Sequence, residues 1–193
     1  MKRLRDILLI NEHVCPWWLA YTFDNPLRRL AHPPEKVLEG LVSQGLTALD
    51  IGCGMGHFTL GMARMVGENG IVIALDLQEQ MLKRVCRRAV QQGLSQRITA
   101  HRGPIESLNF NGEIDFALAF WMVHEVPDKK SFFKALKKQL KPDGRFLMAE
   151  PKIHTSENDI DDSLKLASGA GLAIVGRRDI RFSRAALLAH EGS

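Results

Sequence analysis

His124 and Glu125 stand side by side just past the apolar stretch Ile114-Asp115-Phe116-Ala117-Leu118-Ala119-Phe120. An imidazole and a carboxyl group at the exit of a strand are suited to moving a proton to or from a reacting group. Neighbours on a loop or helix face different ways, so the pair does not read as a metal site, and no metal is expected. A second constellation lies upstream in Leu49-Asp50-Ile51-Gly52-Cys53-Gly54-Met55-Gly56-His57-Phe58, where three glycines alternate as an apolar strand gives way to a helix. Glycine suits that place for a steric reason. A sharp strand-to-helix turn needs unusual dihedrals, and a ligand can press on backbone only where no Cβ intervenes.

The spacing narrows the ligand. The dinucleotide fingerprint is G-x-G-x-x-G with a pyrophosphate on the helix N-terminus, whereas this loop reads Asp-x-Gly-x-Gly-x-Gly. An acid just before the first glycine repels a diphosphate and suits a ligand carrying an amine and a sulfonium. The segment resembles motif I of the class I S-adenosylmethionine (SAM) dependent methyltransferases, of the type-11 or ubiquinone-biosynthesis-like group. That resemblance implies SAM as cofactor and S-adenosylhomocysteine as product, with Asp50, Gly52, Cys53, Gly54 and Gly56 along the binding loop.

Asp76 ends the next apolar run, Ala74-Leu75-Asp76-Leu77, where a carboxylate faces the crevice at the carboxyl edge of a parallel sheet. Its geometry fits a ribose diol, in SAM and NAD families alike; the alternative is an ordinary acid at a helix N-terminus. Leu77 and Met81 would flank adenine or simply pack the following helix. Gly103-Pro104-Ile105-Glu106-Ser107-Leu108 resembles the family's Gly-Asp-Ala-x-x-Leu-Pro segment, whose Asp usually receives the adenine amino group. Pro104 stands at that position without a carboxylate or an N–H, so base recognition falls to the backbone of Ile105 and to Glu106.

The exit Phe120-Trp121-Met122-Val123-His124-Glu125-Val126-Pro127-Asp128 resembles the family's segment ending Leu-His-His-Val-x-Asp, with Glu125 at the second His. The resemblance implies that backbone near Phe120 and Trp121 holds the methionine end of SAM and that His124, Glu125 and Trp121 look towards the methyl group. His124 and Glu125 are thus the acid-base candidates, with plain packing beneath the cofactor as the alternative for His124. Asp-Pro-Pro-Tyr and Asn-Pro-Pro-Tyr motifs, which mark methylation of base amines in DNA and of some amides, are absent.

These residues need a scaffold. Strands are predicted at 46–51, 71–75, 98–101, 114–120 and 145–150, each followed by a helical pattern, which implies a parallel sheet with helices on both faces. Two further strands, 172–177 and 180–186, are too close for a crossover and must form an antiparallel hairpin. A seven-stranded, mostly parallel α/β Rossmann-like fold with such a terminal hairpin is the architecture of the methyltransferase family; ordinary dinucleotide folds lack the hairpin. Pro33-Pro34 is expected to start a helix whose apolar Val37, Leu38, Leu41 and Val42 recur at helical spacing to about Gly45. Lys141-Pro142-Asp143-Gly144 reads as a turn before the fifth strand.

The chain has 193 residues, enough for one well-buried domain and short for two. It is divided here into a lid or cap segment at 1–32 and a SAM-binding domain at 33–193. Trp17, Trp18 and Tyr21 lie in the first part, between prolines that argue against one long helix. Charged residues make up 25% and hydrophobic ones 45%, which favours neither disorder nor a membrane span. The net charge of +4 is spread along the chain, and the lysines of 129–138 read as a solvated helix face, so a nucleic-acid partner is not favoured. Cys15, Cys53 and Cys86 lack metal-ligand or C-x-x-C spacing and read as reduced thiols in a cytoplasmic protein, Cys53 as a small side chain within the loop. The basic, apolar start is interrupted by Asn11-Glu12-His13 and has no small-residue cleavage site, so no export is expected.

The expected function is transfer of a methyl group from SAM to a small-molecule acceptor. Methyltransferases for RNA, protein or lipid, a SAM-sensing protein without catalysis, and an NAD-dependent oxidoreductase are the rivals, the last disfavoured by the glycine spacing and the hairpin.

Overall fold

Strand-forming runs and helical patterns alternate along the chain, and the computed structural model, which describes residues 26–108, 110 and 112–192, follows that alternation. Among the described residues two short helices come first, α1 (Pro26–Ala31) and α2 (Pro34–Val37). Then follow β1 (Thr47–Ile51), α3 (His57–Met65), β2 (Ile71–Asp76), α4 (Glu79–Gln91), β3 (Ile98–Arg102) and β4 (Ile114–Phe120). The chain continues through α5 (Lys129–Gln139), β5 (Leu140–Pro151), α6 (Glu157–Gly169), β6 (Leu172–Arg178) and β7 (Ser183–His190).

The strands form one sheet in the order β3-β2-β1-β4-β5-β7-β6. Strands β1 to β5 pair in parallel, and β7 runs antiparallel between β5 and β6. The expected Rossmann-like fold with a reversed hairpin is therefore present. Side chains alternate across the sheet with the period of two that strands impose. Leu49, Ile51, Ala117, Ala119, Phe146 and Met148 face a core closed by α5 and α6 through Phe132, Phe133, Leu136, Ile160 and Leu164. Ala48, Val72, Phe116, Leu118 and Leu147 face the other core, with Leu38, Phe58, Leu60 and Met62. Each fully buried Leu or Phe in these layers contributes about 1.5–3 kcal/mol.

Local chemistry sets several boundaries. Asp128 caps α5, accepting from the Ser131 N–H at 3.0 Å, and Ser156 and Asp159 form a reciprocal capping box on α6. Along α5 the exposed lysines lie opposite the buried Phe132, Phe133 and Leu136, as a solvated face requires.

Four expectations change. The helix begun at Pro34 closes after one turn, because Gly40 takes a left-handed φ of +72° and the chain continues in turns that still bury Leu38 and Val42. No helix follows β3 among the described residues; 103–108 run in turns that bury Leu108. Lys141–Gly144 lies within β5 as an irregularity: Ile114 pairs with Leu140 and Phe116 with Arg145, so four residues bulge against one. Strand β7 starts at Ser183 rather than Ile180, since Phe182 has φ +60° and the Ser183 N–H closes a turn on the Ile180 carbonyl. Trp17, Trp18, Tyr21 and Cys15 lie outside the described residues.

Candidate functional site

The sheet order reverses between β1 and β4, and the carboxyl ends of β1, β2, β4 and β5 meet at one edge there. The glycine loop leaves β1 at this point. Gly52, Gly54 and Gly56 have φ of +66°, +52° and +82°, a region that costs other residues about 1–2 kcal/mol each. Their surroundings differ. A Cβ on Gly52 would come within 3.1 Å of Met122 Cγ, and one on Gly56 within 2.9 Å of Val85 Cγ2. A Cβ on Gly54 would meet nothing within 4 Å. Two glycines thus let the loop settle against β4's exit and α4, and the third leaves an open cradle above its backbone.

Asp76 closes the cradle's side. Oδ2 accepts from the Gly54 N–H at 2.9 Å and Oδ1 from the Gln78 N–H at 2.9 Å. Burial raises its pKa against the lowering effect of these hydrogen bonds. Each oxygen retains acceptor capacity for a diol. Asp50 is buried beneath the loop, accepts from Thr59 Oγ1 at 2.5 Å, and is pushed up to about 7, chiefly by burial. Cys53 is buried, its N–H bonded to the Leu75 carbonyl at 3.0 Å; burial raises its thiol well above the usual range, so it stays a small, neutral side chain.

Leu77 is half-buried and Met81 buried in the first turn of α4. Gly103 donates to the Asp76 carbonyl at 3.4 Å, which starts the next loop beside that carboxylate; Pro104 is exposed, and Ile105 and Glu106 are half-buried. Phe120 is buried against Phe58, ring centroids 4.4 Å apart, on the α3 side of the sheet. Trp121 takes a left-handed φ of +61°, stacks on Phe120, meets His32 edge-on at 5.1 Å and donates from Nε1 to Ser183 Oγ at 2.8 Å. A bulky residue in that region is held there by its surroundings.

His124 follows Trp121 by three positions, in a short turn of 3-10 helix, Val123–Glu125. Its Nδ1 is 2.5 Å from Oε2 of Glu150, the residue one short of the end of β5. Glu150 is buried; Oε1 accepts from the Val123 N–H at 2.9 Å and Oε2 from the His124 N–H at 3.2 Å. His124 Nε2 is 3.9 Å from Glu125 Oε1, and the His154 ring stacks 6.4 Å away. The Glu150 hydrogen bond raises the His124 pKa, with burial opposing and the Glu125 charge adding. Glu150 was not among the residues predicted from sequence. The available signal was a carboxylate near the end of a strand whose inward neighbours Phe146 and Met148 are apolar, which leaves a buried acid in want of donors.

The fold also matches proteins of known structure. A SAM dependent methyltransferase from Aquifex aeolicus superposes with a TM-score of 0.82 over 91% of this chain and 98% of that one, at 22% identity. The sequence model of the methyltransferase domain matches residues 42–171, two thirds of the chain. The chain belongs to that methyltransferase domain family. SAM is accordingly the cofactor for which the cradle is read, and the open backbone at Gly54 beside Asp76 fits an adenosine ligand. Relatives include a demethylmenaquinone methyltransferase of Lactobacillus johnsonii, 32% identical over 60% of this chain and 48% of that protein. The ubiquinone/menaquinone biosynthesis C-methyltransferase UbiE of Azotobacter vinelandii is 31% identical over 56% of this chain and 44% of its own. The methyltransferase domain described here thus spans about half the length of the curated relatives it matches. No helix among its described residues is long and apolar enough to cross a membrane.

Proposed function

We propose that this chain methylates a small, apolar acceptor of the hydroquinone class, using the edge formed by the carboxyl ends of β1, β2, β4 and β5. The observation that carries the reading is the cradle over Gly54 beside Asp76, with a proton-handling histidine at the exit of the neighbouring strand. SAM, when bound, supplies an electrophilic methyl group on a sulfonium. Asp76 is assigned to the ribose hydroxyls, the loop Gly52–Gly56 to the backbone contacts, and Leu77, Met81, Ile105 and Glu106 to the adenine side.

The acceptor class has two supports. The relatives named above act, by their names, in menaquinone and ubiquinone chemistry. Beside His124, the turn after β5 exposes Ile153 at 85%, and the Lys152 N–H of the same turn bonds the carbonyl of Phe182, itself 55% exposed. Two large apolar side chains left in water next to a site are a surface an apolar ring can cover. His124 is assigned as the base, Glu125 as a neighbouring acid, and Trp121 as the wall on the α3 side. Most of the catalytic benefit in such a site comes from holding donor and acceptor in line and dry, worth several kcal/mol.

The division into a leading cap at 1–32 and a SAM-binding domain from 33 is part of the same reading. Its support is the junction: His32 donates from Nε2 to the Arg181 carbonyl at 2.7 Å, and His57 bonds the His32 carbonyl at 2.8 Å, so the cap's last residue is tied to both α3 and the turn before β7. A cytoplasmic setting is proposed on the free thiols of Cys53 and Cys86.

Calorimetric titration with SAM, S-adenosylhomocysteine and NAD, with Asp76→Ala alongside, tests the cofactor assignment. Selective binding of the sulfur cofactors, lost in the variant, is expected; binding of NAD alone sinks it. Methyl transfer to reduced demethylmenaquinone, set against RNA and protein acceptors from cell extract, tests the acceptor class.

A further inference from the structure

We infer that Glu150 is a positioning residue that sets the ring orientation and tautomer of His124, so that Nε2 is the nitrogen that takes the acceptor's proton. The inference deepens the proposed transfer and rests on it for the acceptor, while the pair itself stands on geometry.

Both oxygens of Glu150 accept hydrogen bonds from the backbone of the turn that carries His124, Oε1 from Val123 and Oε2 from His124 itself. The same Oε2 lies 2.5 Å from His124 Nδ1. A carboxylate is an acceptor, so the hydrogen in that contact belongs to Nδ1, and in the neutral ring the lone pair is left on Nε2. The side chain of Glu150 is only 3% exposed and that of His124 is 27% exposed, so one end of the pair is anchored in the core and the other reaches solvent. Charge on the ring has a waiting partner: an imidazolium formed at Nε2 sits against a buried carboxylate that no solvent competes for. Three other ionisable groups face the ring. Glu125 approaches Nε2, His154 stacks on the ring, and Lys129 opposes its positive charge.

The arrangement also explains why the carboxylate comes from β5. Strands β4 and β5 are parallel and paired, Phe120 opposite Ala149, so the residue after Ala149 lies beside the turn that β4 enters. A side chain from the turn itself would move with the turn. One fixed in the sheet does not, and it holds both the backbone and the imidazole of the same residue.

The hydroxyl proton of the hydroquinone passes to Nε2, and electrons from that oxygen feed the adjacent ring carbon. That carbon bonds the methyl group as the carbon–sulfur bond breaks and its electron pair stays on sulfur. The ring hydrogen displaced from the attacked carbon leaves as a proton, the oxygen is reprotonated, and Nε2 returns its proton to solvent. Methylated acceptor, thioether and one proton are the net products.

Nitrogen NMR of the histidine side chains in the ligand-free protein reads the tautomer without any acceptor. A neutral His124 protonated on Nδ1, titrating above the free-histidine value, is expected, and its midpoint should fall in Glu150→Gln. An Nε2-protonated neutral ring overturns the inference even if the variant does not fold. With SAM and reduced demethylmenaquinone, Glu150→Gln should lower kcat by at least about tenfold, leave KM for SAM in place, and move the acidic limb of the rate profile to lower pH. An unmoved profile overturns it, since a purely structural contact would alter stability and not the limb. Failure of wild-type protein to bind SAM would sink the proposed function and leave the tautomer result standing, so the two can fail separately.

Discussion

The backbone N–H of Gly54 donates to Oδ2 of Asp76 across 2.9 Å, which ties the loop after β1 to the end of β2 through one side chain. The other oxygen holds Gln78, at the start of α4. The carboxylate assigned to the cofactor therefore also shapes the loop that receives it. Loss of Asp76 would disturb both at once.

The glycines separate those two effects. Gly54→Ala and Gly56→Ala both force an L side chain into the left-handed region, at about 1–2 kcal/mol each. Only at Gly56 does the new methyl also strike protein, at Val85. Gly54→Ala should keep most of its stability and lose SAM affinity by at least about tenfold, about 1.4 kcal/mol, whereas Gly56→Ala should show the larger drop in urea midpoint. Equal stability losses with equal affinity losses would contradict the cradle.

Asp50 carries a pH dependence of stability. Its pKa is raised to about 7 in the folded chain from an ordinary value of 3.8. Between those values the folded chain holds a proton that the unfolded chain releases, so this group's contribution falls as pH rises through the window. Asp50→Asn keeps an acceptor for Thr59 and removes that slope, which between pH 5 and pH 8 costs the wild type on the order of 3 kcal/mol. Urea unfolding at pH 5 and pH 8 measures it; a slope that persists in the variant would place its origin elsewhere.

His124 acts with the same sign, from a higher starting pH. A raised pKa means that the folded chain binds the proton more tightly than the unfolded chain, so its contribution is complete below 6.5 and fades as pH climbs through the folded value. His124→Gln should flatten the fall of stability above pH 6.5 and leave the Asp50 window untouched. Unchanged curvature above 6.5 would show that the Glu150 contact is not charge-assisted.

The strained Trp121 depends on Ser183, which is buried and receives its indole N–H. Ser183→Ala leaves a partly buried donor unpaired and should cost about 1–3 kcal/mol in chemical denaturation. A neutral result would mean that ring packing on His32 and Phe120 alone holds the left-handed backbone.

Removal of residues 1–25 tests the cap. Turnover should fall further than S-adenosylhomocysteine affinity, because excluding water matters to the transfer more than to retention of the product. Parallel losses would make the segment a structural support instead.

Where sequence alone succeeded and where it did not follows from what each feature depends on. Strand β4 was read with its observed ends, since six buried apolar positions, interrupted only by the half-buried Asp115 and bounded by a charged entry and a tryptophan exit, leave little choice. The glycine loop was legible because its conformation needs a residue type that few other places need. The start of β7 was misread because Ile180-Arg181-Phe182 has strand-like residues, and only the left-handed Phe182 and the tie from Lys152 show that the strand begins later. Glu150 escaped notice because its meaning lies in groups 26 and 27 positions away, brought to it by β4 and β5 pairing side by side. Local patterns report local geometry. A buried acid reports a distant donor that no window contains.

The place of β7 between β5 and β6 bears on how the protein is made. Ser183–His190 is the last of the seven strands among the described residues, yet it is an interior one, with neighbours on both sides. While these eight residues are still inside a ribosome, β5 is paired only with β4 and its other edge stays open. The nascent chain can assemble its cofactor loop early and still be unable to close its sheet, so the interval before β7 emerges is when a chaperone would have most to protect and when stalled translation would most readily seed aggregation.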